Sequence, residues 1–278
     1  MKRVFKYVSS TLKLFLLYKN KNKINDLINL KDIHKGQECY IFGDGVSLKY
    51  FDLSVFGDKI GIGSNNLIFH KDFKKLNIKY YCIYEPFWFL PYFVSGFKGV
   101  KIWKNKIQKY HRLRARENKQ ITFFTDISNS IRFKGSNIFY VSNQIINKIT
   151  DENFITHKIN SFEGSLRAQI TMANFLGFKK VYLVGHDYLN SESISGHFYE
   201  KGPGFKSFNT HNSWNNEFLN LIKKKLEIIS ITNNKTSLKL KTIPYEQFKK
   251  DILNYKENNE IVSLKNLQIL SSWPKYYI

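Results

Sequence analysis

Cysteine is scarce in this chain: two residues in 278, Cys39 and Cys82. Each lies in an apolar, strand-like run. That reads as a small buried hydrophobe rather than half of a disulfide or of a metal pair, and it suits a reducing compartment. Long apolar runs are missing as well, and no stretch approaches the ~18–20 residues that a helix needs to cross a bilayer. The chain also lacks Cys/His ligand spacing, a Gly-x-Ser-x-Gly nucleophile elbow, nucleic-acid-binding signatures, internal repeats and low-complexity tracts. Those absences set aside zinc-built, serine-hydrolase, nucleic-acid-reading and repeat designs. Acidic residues number 22 against 44 lysines and arginines, for a formal charge of +22. Part of this follows from a Lys/Asn/Ile-rich composition. Even so, a surplus this large favours anionic partners such as nucleotides, acidic glycans or anionic lipid.

What is present is ample material for a core. Hydrophobic residues make up 42% of the chain and aromatic residues 16%, enough for one main domain with an appended segment. Residues 1–34 read as that appended segment. Met1 to Lys23 runs basic, apolar, basic, with Val4, Phe5, Val8, Leu12, Phe15 and Leu16 near helical spacing, and Asn25 to Lys35 reads as a polar linker. Lys13 interrupts the apolar part and no small-residue cleavage site follows, so an amphipathic helix fits better than a signal peptide. Such a helix either lies in the plane of an anionic membrane or packs on the domain. The first choice implies a cytoplasmic protein held peripherally on the inner face of the membrane.

Residues 35–278 read as one α/β domain with a mostly parallel sheet flanked by helices. Strands are expected at Glu38–Phe42, Lys59–Gly63, Lys79–Tyr84, Val100–Trp103, Lys180–Gly185 and Glu227–Ile231. Most of these close on Gly, Asn or Pro, as strands at the carboxyl edge of a parallel sheet do. Helices are expected at Ser165–Leu176, stopped by Gly177, and at Ser213–Leu226. Residues 104–160 and 189–212 look irregular and read as lid or acceptor-side segments. The most informative stretch is Phe42-Gly43-Asp44-Gly45-Val46-Ser47. A strand ending in Gly-Asp-Gly either lets backbone approach a phosphate or makes an ordinary turn.

The strand ends taken together resemble a known superfamily. The order is strand-Phe-Gly-Asp-Gly-Val-Ser-Leu, then Gly63-Ser64-Asn65-Asn66, then Tyr84-Glu85-Pro86. Gly164 and its helix follow, then Leu176-Gly177-Phe178-Lys179, Val181-Tyr182-Leu183-Val184-Gly185-His186-Asp187, and a His-bearing loop. Over roughly Lys35 to Ile243 this resembles the single-domain bacterial sialyltransferases that modify lipo-oligosaccharide. It resembles equally their flagellin-modifying nonulosonate-transferring relatives and an archaeal hydroxymethylpterin diphosphokinase. The resemblance implies a Rossmann-like fold and an inverting, metal-independent transfer of a sugar from a CMP-activated donor to a cell-surface glycan. No cofactor beyond that co-substrate is implied, and no specific nucleic acid.

Carried across residue by residue, the resemblance places Gly43, Gly45 and Ser47 at the donor phosphate side. Asn65, with Asn66 beside it, falls on the nucleotide or transferred sugar, and Ser161 and Gly164 fall on the donor. Gly185 and Asp187 follow the strongest strand, with Tyr188 as a nearby aromatic. Thr232 and Asn233 lie where the base edge is read, and His211 matches the general base. Asp44 and Glu85 depart from the pattern, which has asparagine at both positions. A carboxylate near a phosphate is repulsive unless it holds a metal, pairs with a base or meets sugar hydroxyls. The departures keep open an ATP- and Mg²⁺-dependent pyrophosphokinase, in which Asp44 and Glu85 help bind the metal. A non-catalytic basic binding module is the remaining alternative.

The residues themselves allow several roles. His197, in Gly196-His197-Phe198-Tyr199, competes with His211 as base, since an imidazole titrates near ~6.5. Tyr188 and Tyr199 either donate hydrogen bonds to a departing phosphate or pack as ordinary aromatics. Asp187 either orients a ribose or caps the next turn. Arg167, one turn into the helix after Gly164, either meets a phosphate or an acidic sugar or, the preferred reading, faces solvent. His111, Arg112, Arg114 and Arg116 read as a solvated basic face that can also recruit an anionic acceptor.

Overall fold

The computed structural model describes residues 11–12, 14–89, 101–143, 145–146, 162, 164–206, 210–233, 237, 240–249 and 254–270, with backbone alone for 101–105 and 210–215. Eight parallel strands form one sheet: β1 Glu38–Phe42, β2 Ile60–Ser64, β3 Ile78–Ile83, β4 Thr122–Asp126, β5 Ile138–Val141, β6 Lys180–Val184, β9 Glu227–Thr232 and β10 Lys241–Pro244. Their spatial order is β10-β9-β6-β1-β2-β3-β4-β5, and a separate two-stranded hairpin joins β7 Ile194–Ser195 to β8 Phe205–Lys206. The chain starts in the middle, runs outward through β2 to β5, then crosses back to place β6 on the other side of β1. The direction of travel therefore reverses between β1 and β6. In an open α/β sheet the ligand crevice lies outside the carboxyl ends of such a pair.

Apart from the edge strand β10, the strands are short, mostly apolar runs buried on both faces, as a covered parallel sheet requires. Ile41 and Phe42 of β1, Leu183 and Val184 of β6 and Phe123 and Phe124 of β4 are fully buried. Helix α3, Ser165–Phe175, lies over the centre and is buried nearly all round. Its Gln169 reaches into the sheet, where Nε2 donates to the carbonyls of Phe42 (2.8 Å) and Ile62 (3.0 Å) and ties β1 to β2. Gly177, at φ +88, ends the helix as the sequence predicts. Cys39 and Cys82 are buried free thiols, pushed well above their usual range by burial.

Four sequence expectations are corrected. Residues 101–103 are not strand but open helix α2, Lys101–Glu117. Ile107, His111 and Ala115 recur four apart and are buried, and this helical period continues where strand alternation stops. Of residues 104–160, expected to be irregular, 104–143 supply α2, β4 and β5 and complete one side of the sheet, and 147–160 lie outside the described residues. Residues 25–35 are no free linker. Helix α1, Lys21–Asp26, runs into a 3₁₀ turn, Leu27–Leu30, whose Leu27 is fully buried. Helix α4 begins earlier than expected, at Thr210–Ile222, so His211 stands in its first turn rather than before it.

The N-terminal segment packs on the domain through one face. Residues 14–19 are helical, Leu16 is buried in the core, and Leu12, Leu17 and Ile24 pack against it. Asn20 Nδ2 donates to Ser130 Oγ (3.2 Å) and Lys23 Nζ to the Ser136 carbonyl (2.7 Å). Residues 1–10, which carry half of the predicted amphipathic pattern, lie outside the described residues.

Candidate functional site

Strand β1 delivers Gly43-Asp44-Gly45 to the carboxyl edge, and the turn zips onto the exit of β6. Gly43 N donates to the Val184 carbonyl (2.8 Å) and Gly45 N to the Gly185 carbonyl (2.8 Å). A Cβ on either glycine would stand 2.5 Å from the Gly185 oxygen, and one on Gly45 would also run into the Asp187 carboxylate. The absent side chains are thus demanded first by chain packing against chain. Gly185 itself sits at φ +74, a conformation open to glycine at little cost. It turns the backbone so that Asp187 Oδ2 accepts from Ser47 N at 2.8 Å.

Outward from that contact the turn opens into a cavity of about 260 Å³. Its wall brings together Ser47, Asp187 and Asn233, all singled out in the sequence, with Asn190, Tyr50 and Lys206. Thr232, the last residue of β9, is buried and sets Asn233 at this wall. The cavity has apolar stretches from Val46, Ile194 and Phe205, so it combines flat apolar surface with convergent polar groups.

The β2-facing side of the same turn is polar and titratable. Asp44 is buried, and its Oδ2 accepts from Asn66 N at 3.0 Å. Burial pushes this carboxyl up to about 6, against the opposing pull of the His197 charge and the amides of Asn66 and Leu67. Asn66 Nδ2 donates to Tyr199 Oη at 3.2 Å. Asp44 Oδ1, Asn66 Oδ1 and Ser47 Oγ are buried with no hydrogen-bond partner among the described residues. Buried polar atoms are almost always satisfied, so three orphans around one turn mark a place built for something else.

His197 closes this side. It forms an isolated antiparallel bridge with Gly45, and the next residue, Phe198, donates its N–H to the Asp44 carbonyl at 3.0 Å. His197 Nδ1 meets Glu200 Oε1 at 3.0 Å, and the ring stacks on Tyr199 with centroids 5.0 Å apart. The imidazole is 39% exposed. Among the described residues nothing hydrogen-bonds its Nε2. Burial disfavours the imidazolium, yet the hydrogen bond to Glu200 and the charges of Asp44, Glu200 and Asp187 outweigh it and raise its pKa. Lys49, wholly buried, anchors the same loop: its Nζ donates to the carbonyls of Glu200 and Gly202, each at 2.6 Å.

The other sequence candidates separate. Asn65 stands at φ +47, a region asparagine tolerates, and its carbonyl accepts from Tyr81 Oη and His111 Nε2, both at 3.0 Å. Tyr188 is half-buried beside Asp187, and burial and that charge raise its phenol, so it stays protonated. Glu85 is exposed at the exit of β3, where its carbonyl accepts from Asn129 Nδ2 (3.0 Å). Gly164, at φ +86, is exposed at the start of α3. Tyr84 is buried, with Oη donating to Asp126 Oδ2 at 3.1 Å. The side chain of His211, and Ser161 altogether, lie outside the described residues. Among the described residues no group of three or more His, Cys, Asp or Glu could hold a metal ion.

Two readings of basic residues are overturned. His111 is not on a solvated face: it is 2% exposed, and burial pushes its pKa down to about 4. Arg167 does not face solvent: it is buried, with its guanidinium 5.6 Å from the Phe218 ring of α4. Sequence reasoning also missed Glu200, Asn190, Lys49 and Lys206. Only Glu200 left a local signal, the His-x-x-Glu spacing to His197. The rest are placed by folding.

No protein-family profile and no curated protein matches the chain. Among solved structures it is similar to the sialyltransferase CstII from Campylobacter jejuni in complex with cytidine-5'-monophosphate. That match has 15% identity and a TM-score of 0.45 over 86% of this chain and 98% of that one. The same enzyme with CMP-3FNeuAc aligns at 16% identity and TM-score 0.44, over 85% and 99% of the two chains. The MAf glycosyltransferase from Magnetospirillum magneticum AMB-1 aligns at 12% identity and TM-score 0.42, over 88% of this chain and 40% of that one.

Proposed function

We propose that this protein transfers a sugar from a nucleotide-activated donor to a glycan acceptor, with a CMP-linked nonulosonate as the donor. One observation carries the reading. At the reversal point of the sheet, one turn carries Ser47 to a cavity walled by Asp187 and Asn233, and on its other flank holds the orphaned polar atoms of Asp44 and Asn66 beside an oriented histidine. The motif resemblance supplies the donor class. Asp187 accepts from ribose hydroxyls rather than meeting phosphate, Asn233 reads the base edge, and Lys206 lies on the wall to neutralise phosphate.

The reaction needs a base for the acceptor hydroxyl and donors for the departing phosphate. The geometry supports His197 as the base, with Glu200 fixing its tautomer through Nδ1 so that Nε2 takes the proton. As the acceptor oxygen bonds to the anomeric carbon from the opposite face, the carbon–phosphate oxygen bond breaks and CMP leaves with the electron pair. Tyr188 and Tyr199 donate to that phosphate. His211 rests on the resemblance alone.

Thermal shifts with CMP, UDP, GDP and ATP, each with and without Mg²⁺, test the donor. The expected result is a rise with CMP that needs no Mg²⁺ and is lost in Asn233→Ala. A rise with ATP only in the presence of Mg²⁺ favours the pyrophosphokinase and overturns the proposal. Turnover of a CMP-nonulosonate donor tests the base. His197→Ala should fall by ~10²–10⁴ with donor affinity nearly kept. Collapse in His211→Ala alone would move the role to His211.

A further inference from the structure

We propose that the edge of the sheet at β5 docks on an anionic lipid bilayer, through the outer face of the N-terminal helix and an arginine cluster beside it. The helix buries Leu16 but turns Leu14, Phe15 and Tyr18 outward, at 64%, 58% and 81% exposure. These three positions fall on one side of a helix (i, i+1, i+4). Side chains of this kind left in water on one helix face, with Lys19 and Lys21 exposed around them, are the pattern of a helix that lies in a membrane interface.

The surface continues onto the domain. Asn20 is hydrogen-bonded to Ser130, and the next two residues, Ile131 and Arg132, are exposed. Phe133, next to Arg132, stacks on Phe89 with centroids 4.1 Å apart, and the Arg112 guanidinium of α2 lies 5.8 Å from that same Phe89 ring, so the charges of Arg132 and of Arg116, one turn on from Arg112, add to burial in lowering the Arg112 pKa. Like charges gathered on one surface are complementary to a negatively charged one, and each is worth about fivefold in binding near anionic lipid at low salt. No helix among the described residues is long and apolar enough to cross a membrane, so the contact is one of surface.

The direction of the helix gives the docking its geometry. Asn20 touches Ser130, which follows β4 at the carboxyl edge of the sheet, whereas Lys23 touches Ser136, which precedes β5 at the opposite edge. The segment that carries Leu14, Phe15 and Tyr18 therefore enters α1 from the edge that holds the Gly43–Ser47 turn. Four strand spacings separate β5 from β1, about 20 Å. A bilayer engaged there stands beside the mouth of the site. This holds whether or not the transfer reaction is correctly assigned.

Co-sedimentation of the full chain with vesicles tests it. Phosphatidylglycerol/phosphatidylcholine vesicles are compared with phosphatidylcholine alone, at low and high salt, for the wild type, Leu14→Ser/Phe15→Ser/Tyr18→Ser, and Arg116→Gln/Arg132→Gln. The wild type should bind the anionic vesicles at least tenfold better than the neutral ones. The helix variant should lose at least tenfold at both salts, and the arginine variant should lose chiefly at low salt. All substituted residues are exposed, and circular dichroism confirms that each variant is folded. Absence of wild-type binding, or equal binding by the folded helix variant, overturns the proposal. So does a wild-type dimer in light scattering that the helix variant dissociates while neither binds vesicles, because the face then belongs to a second copy.

Discussion

The two flanks of the turn after β1 are built to opposite specifications. Toward β6 there is no space: Gly43 and Gly45 are pressed against the Gly185 carbonyl and the Asp187 carboxylate. Toward β2 the same turn carries Asp44 to Asn66, His197 and Glu200, with polar atoms left unsatisfied and the pKa values of Asp44 and His197 both raised. A glycine turn that reads as a phosphate cradle is thus a packing device on one flank, and it carries the reactive groups on the other. Rigidity on the first flank is what lets the second hold a histidine in place.

The comparison breaks most visibly at Gly45. A valine there must displace the Gly185–Asp187 backbone, so Gly45→Val should lose roughly 3 kcal/mol or more of stability and much of its soluble yield. Urea unfolding measures this. A variant as stable as the wild type would mean that the β6 flank is not close-packed. The substitution is for the same reason a poor probe of nucleotide contact.

The β2 flank should respond with the opposite sign. A buried carboxyl whose folded pKa, about 6, lies above its unfolded value near 3.8 favours the fold only while protonated. Its contribution is complete below the unfolded value and is lost as pH rises through about 6. Asp44→Asn should therefore stabilise the protein at pH 8 by up to about 3 kcal/mol, with the gain shrinking toward pH 4. Unfolding curves at the two pH values give the difference. Equal stability throughout would show that Asp44 is not held in the protonated form.

The finest test concerns Glu200. Its hydrogen bond and charge raise the pKa of His197, so a base at that position loses activity as pH falls through a value above that of a free imidazole. Glu200→Gln should move the acidic limb of the pH–rate profile to lower pH while protein and donor affinity stay intact. A limb that does not move separates Glu200 from the titrating group.

Legibility in the sequence followed punctuation. β1 and β6 are apolar runs that stop on glycine, and both were readable to within a residue. β4 and β5, Thr-Phe-Phe-Thr-Asp and Ile-Phe-Tyr-Val, have no such stops and follow a 17-residue basic helix, so the region looked irregular. At the site, Ser47, Asp187 and Asn233 were legible because each follows a strand that ends at one edge. Lys49, Arg167 and His111 were not. Each is a basic residue whose burial depends on groups 46 or more positions away in the chain, a distance over which local pattern carries no information.

Lys49 also governs how long the site keeps its shape. Its buried ammonium holds two carbonyls of the His197–Gly202 loop, and the backbone amides of Phe198 and Glu200 are bonded to Asp44 and His197. Releasing that loop means exposing a buried cation and several paired backbone groups together, a sub-global opening rather than local fraying. In deuterated solvent the Phe198 amide should accordingly exchange with the strands of the core and not with the hairpin Ile194–Lys206 in which it lies.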